Sequence, residues 1–255
     1  FPTYVRDNAN CINYCKFGQL FGQNNAKNRL FVSGNSDFKN RDWHSNTDFT
    51  YFEDMQYADY GQTDNEVVGY DIVSNDKMVV LKSYSDKEPT IYYRTSTLVT
   101  AIDGGGNVQK GFDNSTLYEE GYSISIGNIG ASAVSNKAIV NFNGDTLFLS
   151  NDKQLDGLNV SGIIGDNQRY SYSRSRFIDP KLSDLDMTKC WLWTNNKYLY
   201  LITPNEIYIT HYETISSELS QYEWWRADIK DVQVMIEIDG ETYYGTSDGK
   251  FYKLD

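Results

Sequence analysis

The chain reads as all-β: a β-propeller of about five, or six, four-stranded blades, with one short helix near 178–188. Three observations predict this. Pairs of short aromatic strands recur, helical periodicity is nearly absent, and the segments between strands are rich in Asn, Asp, Ser and Gly, the residues of tight turns. The strand pair is clearest at Lys197–Ile202 with Glu206–Thr210, and again at Glu241–Thr246 with Lys250–Leu254. Looser versions occur at Asn28–Gly34, Asp76–Thr95 and Gly144–Ser161. One supersecondary unit returning along a chain marks a repeat architecture.

In chain order, the second strand of each unit falls at Leu30, Met78, Leu147, Tyr198 and Tyr243, spacings of 48, 69, 51 and 45 residues. Four strands of five or six residues with their turns need roughly 40–50 residues, the size of a propeller blade. The long gap carries a Gly-rich loop, Asp103–Asn107, and a polar stretch, Asp113–Gly121. Asn143-Gly144, Asp239-Gly240 and Asp248-Gly249 are pairs that accept the left-handed conformations of two-residue hairpins. Asp239-Gly240 sits between Val234–Ile238 and Thr242–Tyr244, which makes a hairpin there well supported. The helix candidate is Ile178–Thr188, with Asp179 as N-cap, Pro180 at the first helical position, and Leu182 and Leu185 on one face. A second short turn falls at Ser216–Gln221. Ring closure would pair the C-terminal strands with the first segment, and Thr3–Arg6 is the expected partner. A β-sandwich would also supply many short strands, and a solenoid would need a stricter period.

The 255 residues are read as one domain, 1–255, and as a piece of a longer chain, because Phe1–Arg6 is neither a signal peptide nor an initiator methionine. A chain of this length buries roughly 70–75% of its unfolded surface and needs no disulfide staples. Of its residues 15% are aromatic, 21 of them tyrosines, which suit half-buried strand positions where the ring packs and the hydroxyl stays wet. The net charge of −12 opposes adhesion to nucleic acid and to anionic membranes, so neither is expected as a partner. No run of 18 apolar residues is present. The three cysteines, Cys11, Cys15 and Cys190, are too few and too odd in number for a disulfide framework. On an extended strand Cys11 and Cys15 would stand about 13 Å apart, beyond bridging distance.

The residues assemble no catalytic, cofactor or metal motif. The only histidines are His44, in a strand-like run, and His211, near a strand end; both read as structural. No Gly-x-Ser-x-Gly elbow occurs. With 35 acidic residues a carboxylate pair of glycosidase spacing can always be nominated, so nomination carries no information. Ser247–Phe251 resembles the Asp-box turn of sialidase-type propellers but departs from its spacing and closing Trp, and reads as a hairpin turn. Asp103–Asn107 could offer oxygens to a cation but lacks an EF-hand ligand pattern, and no Lys-Ser/Thr follows it as in a phosphate loop. Asn114-Ser115-Thr116 and Asn159-Val160-Ser161 fit the glycosylation sequon by chance. Trp224-Trp225-Arg226, after Tyr222, is either a platform for sugar or protein or an outer strand filling a blade interface; the core reading is favoured. Cys190–Trp193 reads as a strand packed on one face.

Several segments, in order, carry a family likeness: Asn28–Asn35, Asn40–Ser45 and Phe49–Phe52, then Met78–Lys82 and Thr90–Thr95, then Ile129–Ala131 and Asn143–Ser150. Together they resemble the β-propeller virion proteins of tailed bacteriophages and prophages, similar in outline to the tail tubular (nozzle) proteins of podoviruses. The resemblance runs over about Asn28 to Asp255 and rests on strand and turn patterns. It implies a non-enzymatic structural part of the tail or head–tail connection, assembled in the bacterial host cytoplasm into the virion as a ring of identical copies beside other virion proteins. An acidic wall would let DNA slide. The competing expectations are a glycan-binding or sialidase-like propeller and an extracellular bacterial scaffold.

Overall fold

The computed structural model describes residues 11–47, 49, 51–53, 55–127, 131–158, 171–195, 197–216 and 221–254. The proposed closing segment Thr3–Arg6, the sequon Asn159–Ser161 and the pair Ile129-Gly130 lie outside them.

The fold is all-β and antiparallel. The strands β1 (Phe17–Phe21), β2 (Arg29–Ser33), β3 (Arg41–His44) and β4 (Tyr57–Asp59) form one sheet. A second holds β5 (Val67–Ser74), β6 (Lys77–Lys82), β7 (Ile91–Thr100) and β8 (Tyr118–Ile126). A third holds β9 (Ile139–Phe142), β10 (Asp145–Leu149), β11 (Leu155–Leu158) and β12 (Ser171–Ser173). In the fourth, β13 (Trp191–Thr194), β14 (Tyr198–Ile202) and β15 (Ile207–His211) are followed by β18 (Trp225–Ala227), after a ribbon of β16 (Ile215–Ser216) and β17 (Gln221–Tyr222). The last, β19 (Val232–Ile238), β20 (Glu241–Thr246) and β21 (Phe251–Lys253), has three strands among the described residues. Leu30, Met78, Leu147, Tyr198 and Tyr243 each lie on the second strand of their sheet, as the spacing predicts. The two Tyr-rich hairpins occupy strands two and three of successive sheets.

Contacts group the chain into two compact units, residues 1–82 with 87–127, and residues 83–86 with 128–255. In the first, two sheets pack face to face through Phe21 and Phe31 on one side and Met78, Val80 and Tyr92 on the other. In the second, Leu147 and Leu149 meet Leu199 and Leu201 in one core, while Tyr200 and Ile202, on the opposite face of β14, meet Val232 and Met235 in another. A strand buried on both faces reads as a continuous apolar run, which is why Met78–Leu81 and Leu199–Ile202 do not alternate. The same stacking corrects the one-sided reading of β13: Leu192 enters one core, and Trp191 and Trp193 pack against the other. Each fully buried Leu contributes roughly 1.5–3 kcal/mol.

Two turns match their prediction. Asn143 and Gly144 have φ of +53° and +78°, and Asp239 and Gly240 +52° and +81°, the left-handed pair that suits strand twist. The Asp248-Gly249 turn differs. Only Gly249 is left-handed, and Thr246 N–H bonds the Lys250 carbonyl at 3.0 Å across a three-residue loop. The predicted helix is also shorter. The α-helix α1 is Asp179–Leu182, its N-cap is Ile178, and Asp179 lies inside the first turn, accepting a bond from Ser175 Oγ at 2.5 Å. Ser183 ends it, its hydroxyl returning to the Pro180 carbonyl at 3.0 Å, since short polar side chains compete with helix bonding. Met187–Lys189 then forms a separate 3₁₀ turn capped by Asp186. The second short turn predicted at Ser216–Gln221 is the end of the β16–β17 ladder, where these two residues pair; 217–220 lie outside the described residues.

The long gap is an arm. β7 and β8 pair from Tyr92–Ile126 out to Thr100–Tyr118, so Tyr118–Gly121, the end of the polar stretch, is strand. Beyond them the backbone closes a ring of three bonds: Ala101 N–H to Leu117 O (3.0 Å), Leu117 N–H to Gln109 O (3.1 Å) and Gln109 N–H to Ala101 O (2.8 Å).

Candidate functional site

A concavity lies where three sheets of the second unit begin. A polar pocket of about 390 Å³ is lined by Ser135 and Lys137 before β9, Thr188 and Lys189 before β13, and Asp231 and Gln233 at the start of β19. β9 and β13 lie side by side, as β1 and β5 do in the first unit. Within the second unit the segments entering β9, β13 and β19 meet and supply the pocket.

Its charges are largely engaged. The Asp231 carboxylate accepts bonds from Ser247 Oγ and from Gln233 Nε2 (2.9 Å), which hold it below the usual carboxylate range. Lys189 Nζ stands 3.6 Å from Asp186. The Cys190 thiol beside it is pushed up to about 11 by burial and then by Asp186, so it stays protonated near neutrality. The arrangement offers ammonium and hydroxyl groups to a small polar guest. Sequence reasoning passed over these residues, because three segments far apart in the chain supply them.

A second concavity of the same unit, a shallow groove of about 470 Å³, is lined by Tyr198, Ile209, His211, Thr214 and Trp225. Tyr198 and His211 meet edge to face at 4.9 Å. The Trp-Trp stretch is thereby divided. Tyr222 is buried and Trp224 packs on the core, whereas Trp225 and Arg226 are exposed on the outer strand β18, contrary to the core reading for those two. Arg226 bonds Glu206 at 2.6 Å and also pairs with Asp228.

In the first unit the polar chemistry is buried. Tyr60 Oη donates to Asp42 Oδ2 at 2.5 Å, and Arg94 Nη1 lies 3.2 Å from that hydroxyl and 3.6 Å from Asp42 Oδ1. Burial raises the Asp42 carboxyl and the Tyr60 phenol alike. His44 stacks on Phe31 at 5.0 Å, and burial, then Arg94 and Arg29, push its imidazole down to about 3. It is a neutral core ring at physiological pH. Lys82 is fully buried, donating to the Tyr60 carbonyl (2.6 Å), the Gln62 carbonyl (3.1 Å) and Glu88 (3.1 Å). Lys82 thus ties the segment after β4 to the end of the interior strand β6.

The remaining nominated residues do local work. His211 Nδ1 accepts from Glu213 N–H at 3.2 Å. Asp103 Oδ1 accepts from the N–H groups of Gly105 (2.9 Å) and Asn107 (2.8 Å), closing its own loop. Asp248 accepts from Thr246 Oγ1 at 2.6 Å within the hairpin turn. Cys11 and Cys15 are not on an extended strand as the 13 Å estimate supposed: the chain turns there, and Cys15 Sγ reaches the Cys11 carbonyl at 3.7 Å. All three thiols are free, and burial pushes Cys15 up to about 12. Among the described residues no three His, Cys, Asp or Glu side chains gather as a metal site needs, and no helix is long and apolar enough to cross a membrane.

No protein-family model and no curated protein matches the chain. Among solved structures it is similar to a functionally unknown protein from Desulfotomaculum acetoxidans DSM 771, at 11% identity and a TM-score of 0.45, over 93% of this chain and 69% of that one.

Proposed function

We propose that the chain is a non-enzymatic structural component of a bacteriophage or prophage tail or head–tail connection, built as a β-propeller of five blades and assembled into a ring in the virion. The observation that carries this reading is where the family-like residues lie. Arg29–Ser33, Arg41–His44, Met78–Lys82, Ile91–Thr95 and Asp145–Leu149 fall on strands of three successive four-stranded sheets. Most of them are buried packing positions. The likeness is therefore to a scaffold. Two further features of the second unit support the propeller: β14 is buried on both faces between stacked sheets, and the segments entering β9, β13 and β19 meet at a polar pocket. The net charge of −12 supports a wall along which DNA moves without sticking.

Mass spectrometry of particles purified after prophage induction tests this. The expected result is the chain at a fixed copy number per particle. Its absence from particles, with sugar-utilisation genes flanking its own, would overturn the reading.

A further inference from the structure

We propose that the buried cluster of Asp42, Tyr60 and Arg94 is a conformational key: it selects one seating of the first sheet on the second without making that seating more stable. The inference stands apart from the virion reading and concerns the first unit alone. The faces that meet there are apolar, through Phe21 and Phe31 on one sheet and Met78 and Val80 on the other. Hydrophobic contact is non-directional, so such faces would stay covered after sliding by one pleat repeat.

Polar groups sit where a slide would be felt. Asp42 lies on β3, Arg94 on β7 of the other sheet, and Tyr60 follows β4 in the segment that joins the two sheets. Asp42 and Tyr60 are fully buried and Arg94 is 3% exposed. The Tyr60 hydroxyl bridges the charges, donating to Asp42 at 2.5 Å and accepting from Arg94 at 3.2 Å. The backbone of the same segment is held from both sides. Tyr60 N–H donates to the Asn40 carbonyl and Asn40 Nδ2 to the Gly61 carbonyl, both at 2.8 Å. From the second sheet, Lys82 holds the Tyr60 and Gln62 carbonyls, and Glu88 accepts from Gln62 N–H at 2.6 Å. Hydrogen bonds are directional, so a slide would break these together and leave two buried charges unpaired.

The cluster is poorly arranged to add stability. Asp42 and Arg94 stand 3.6 Å apart, beyond hydrogen-bond length, and Asp42 Oδ1 and Arg94 Nε are buried with no hydrogen-bond partner among the described residues. A buried ion pair with unmet atoms recovers little more than the cost of burying it, whereas either charge left alone is strongly destabilising. The pair therefore penalises wrong seatings more than it favours the right one.

NMR of the full chain tests the key, because its two histidines report separately. His44 sits at the same interface, stacked on Phe31 of the first sheet and edge-on to Tyr122 of the second, each at 5.0 Å; His211 lies in the second unit. The variant Asp42→Leu/Tyr60→Phe/Arg94→Met replaces the cluster by apolar groups. It is expected to keep the wild-type urea midpoint, followed by the native His44 signal, and to split the His44 ring C–H signal while His211 stays single. Arg94→Met alone should instead lower that midpoint by roughly 1 M or more, because the Asp42 charge is left buried without its counter-charge. Should the triple variant fail to fold, Asp42→Asn/Arg94→Gln removes both charges with less change of shape and carries the same expectation. A charge-free variant whose midpoint falls by more than half of the Arg94→Met loss would make the cluster a source of stability and refute the key. So would a charge-free variant that keeps one His44 signal, since apolar shape would then suffice, or an Arg94→Met chain with the wild-type midpoint.

Discussion

Asp156 is a buried carboxylic acid on β11, with Gln154 Nε2 at 3.2 Å. Burial pushes its carboxyl up to about 6, the Ser150 bond pulling the other way and Asp152 adding to the rise. The folded state therefore holds this proton more tightly than the unfolded chain, whose value lies near 4. Its contribution to stability is complete below about pH 4 and is lost as the pH rises through 6. Asp156→Asn keeps an acceptor for Gln154 and cannot ionise. Urea titrations from pH 4 to pH 7 should show the variant gaining on the wild type by up to about 3 kcal/mol. Parallel profiles would mean that the carboxylate is solvated in the fold. His44 titrates with the opposite sign: its neutral form is favoured by folding, so its contribution is present above its unfolded value and lost as the pH falls toward 3.

At the scale of elements, the hairpins are set by local stereochemistry. Gly144 and Gly240 have left-handed φ and nothing within 4 Å of where a Cβ would stand, so strain alone decides a substitution there. Gly144→Val or Gly240→Val should each cost about 1–2 kcal/mol in thermal unfolding. A larger loss would mean that these turns also carry packing. Such turns are legible in sequence because two adjacent residues contain the whole cause. The helix was not. Leu182 and Leu185 mark a buried face, but Ser183 and Asp184 between them break the turn, and that competition is settled by which partner the hydroxyl finds. Trp224 and Trp225 show the same limit: adjacent strand positions point to opposite sides, and only the sheet decides which side is covered.

At the scale of the molecule, four four-stranded sheets and one of three strands recur among the described residues, and closure of the proposed propeller would make them one cooperative structure. Met78 in the first unit and Leu147 in the second are both fully buried. Met78→Ala and Leu147→Ala should each cost about 2–5 kcal/mol. In a closed propeller both lower one calorimetric transition. Two separate transitions, each moved by only one variant, would argue against ring closure.

The sequence by itself determined the all-β class, the position of each second strand and the left-handed turns at Asn143-Gly144 and Asp239-Gly240. These depend on periodicity, composition and φ preferences that act over a few residues. Tertiary structure alone decided that His44 is a neutral core ring, that Trp225 faces outward, that the long gap is a paired β-hairpin arm, and that Lys137, Lys189 and Gln233 share a pocket. Each of these depends on what lies across a sheet face or at the mouth of a neighbouring strand. Residues far apart in the chain supply those surroundings, and no local pattern records them.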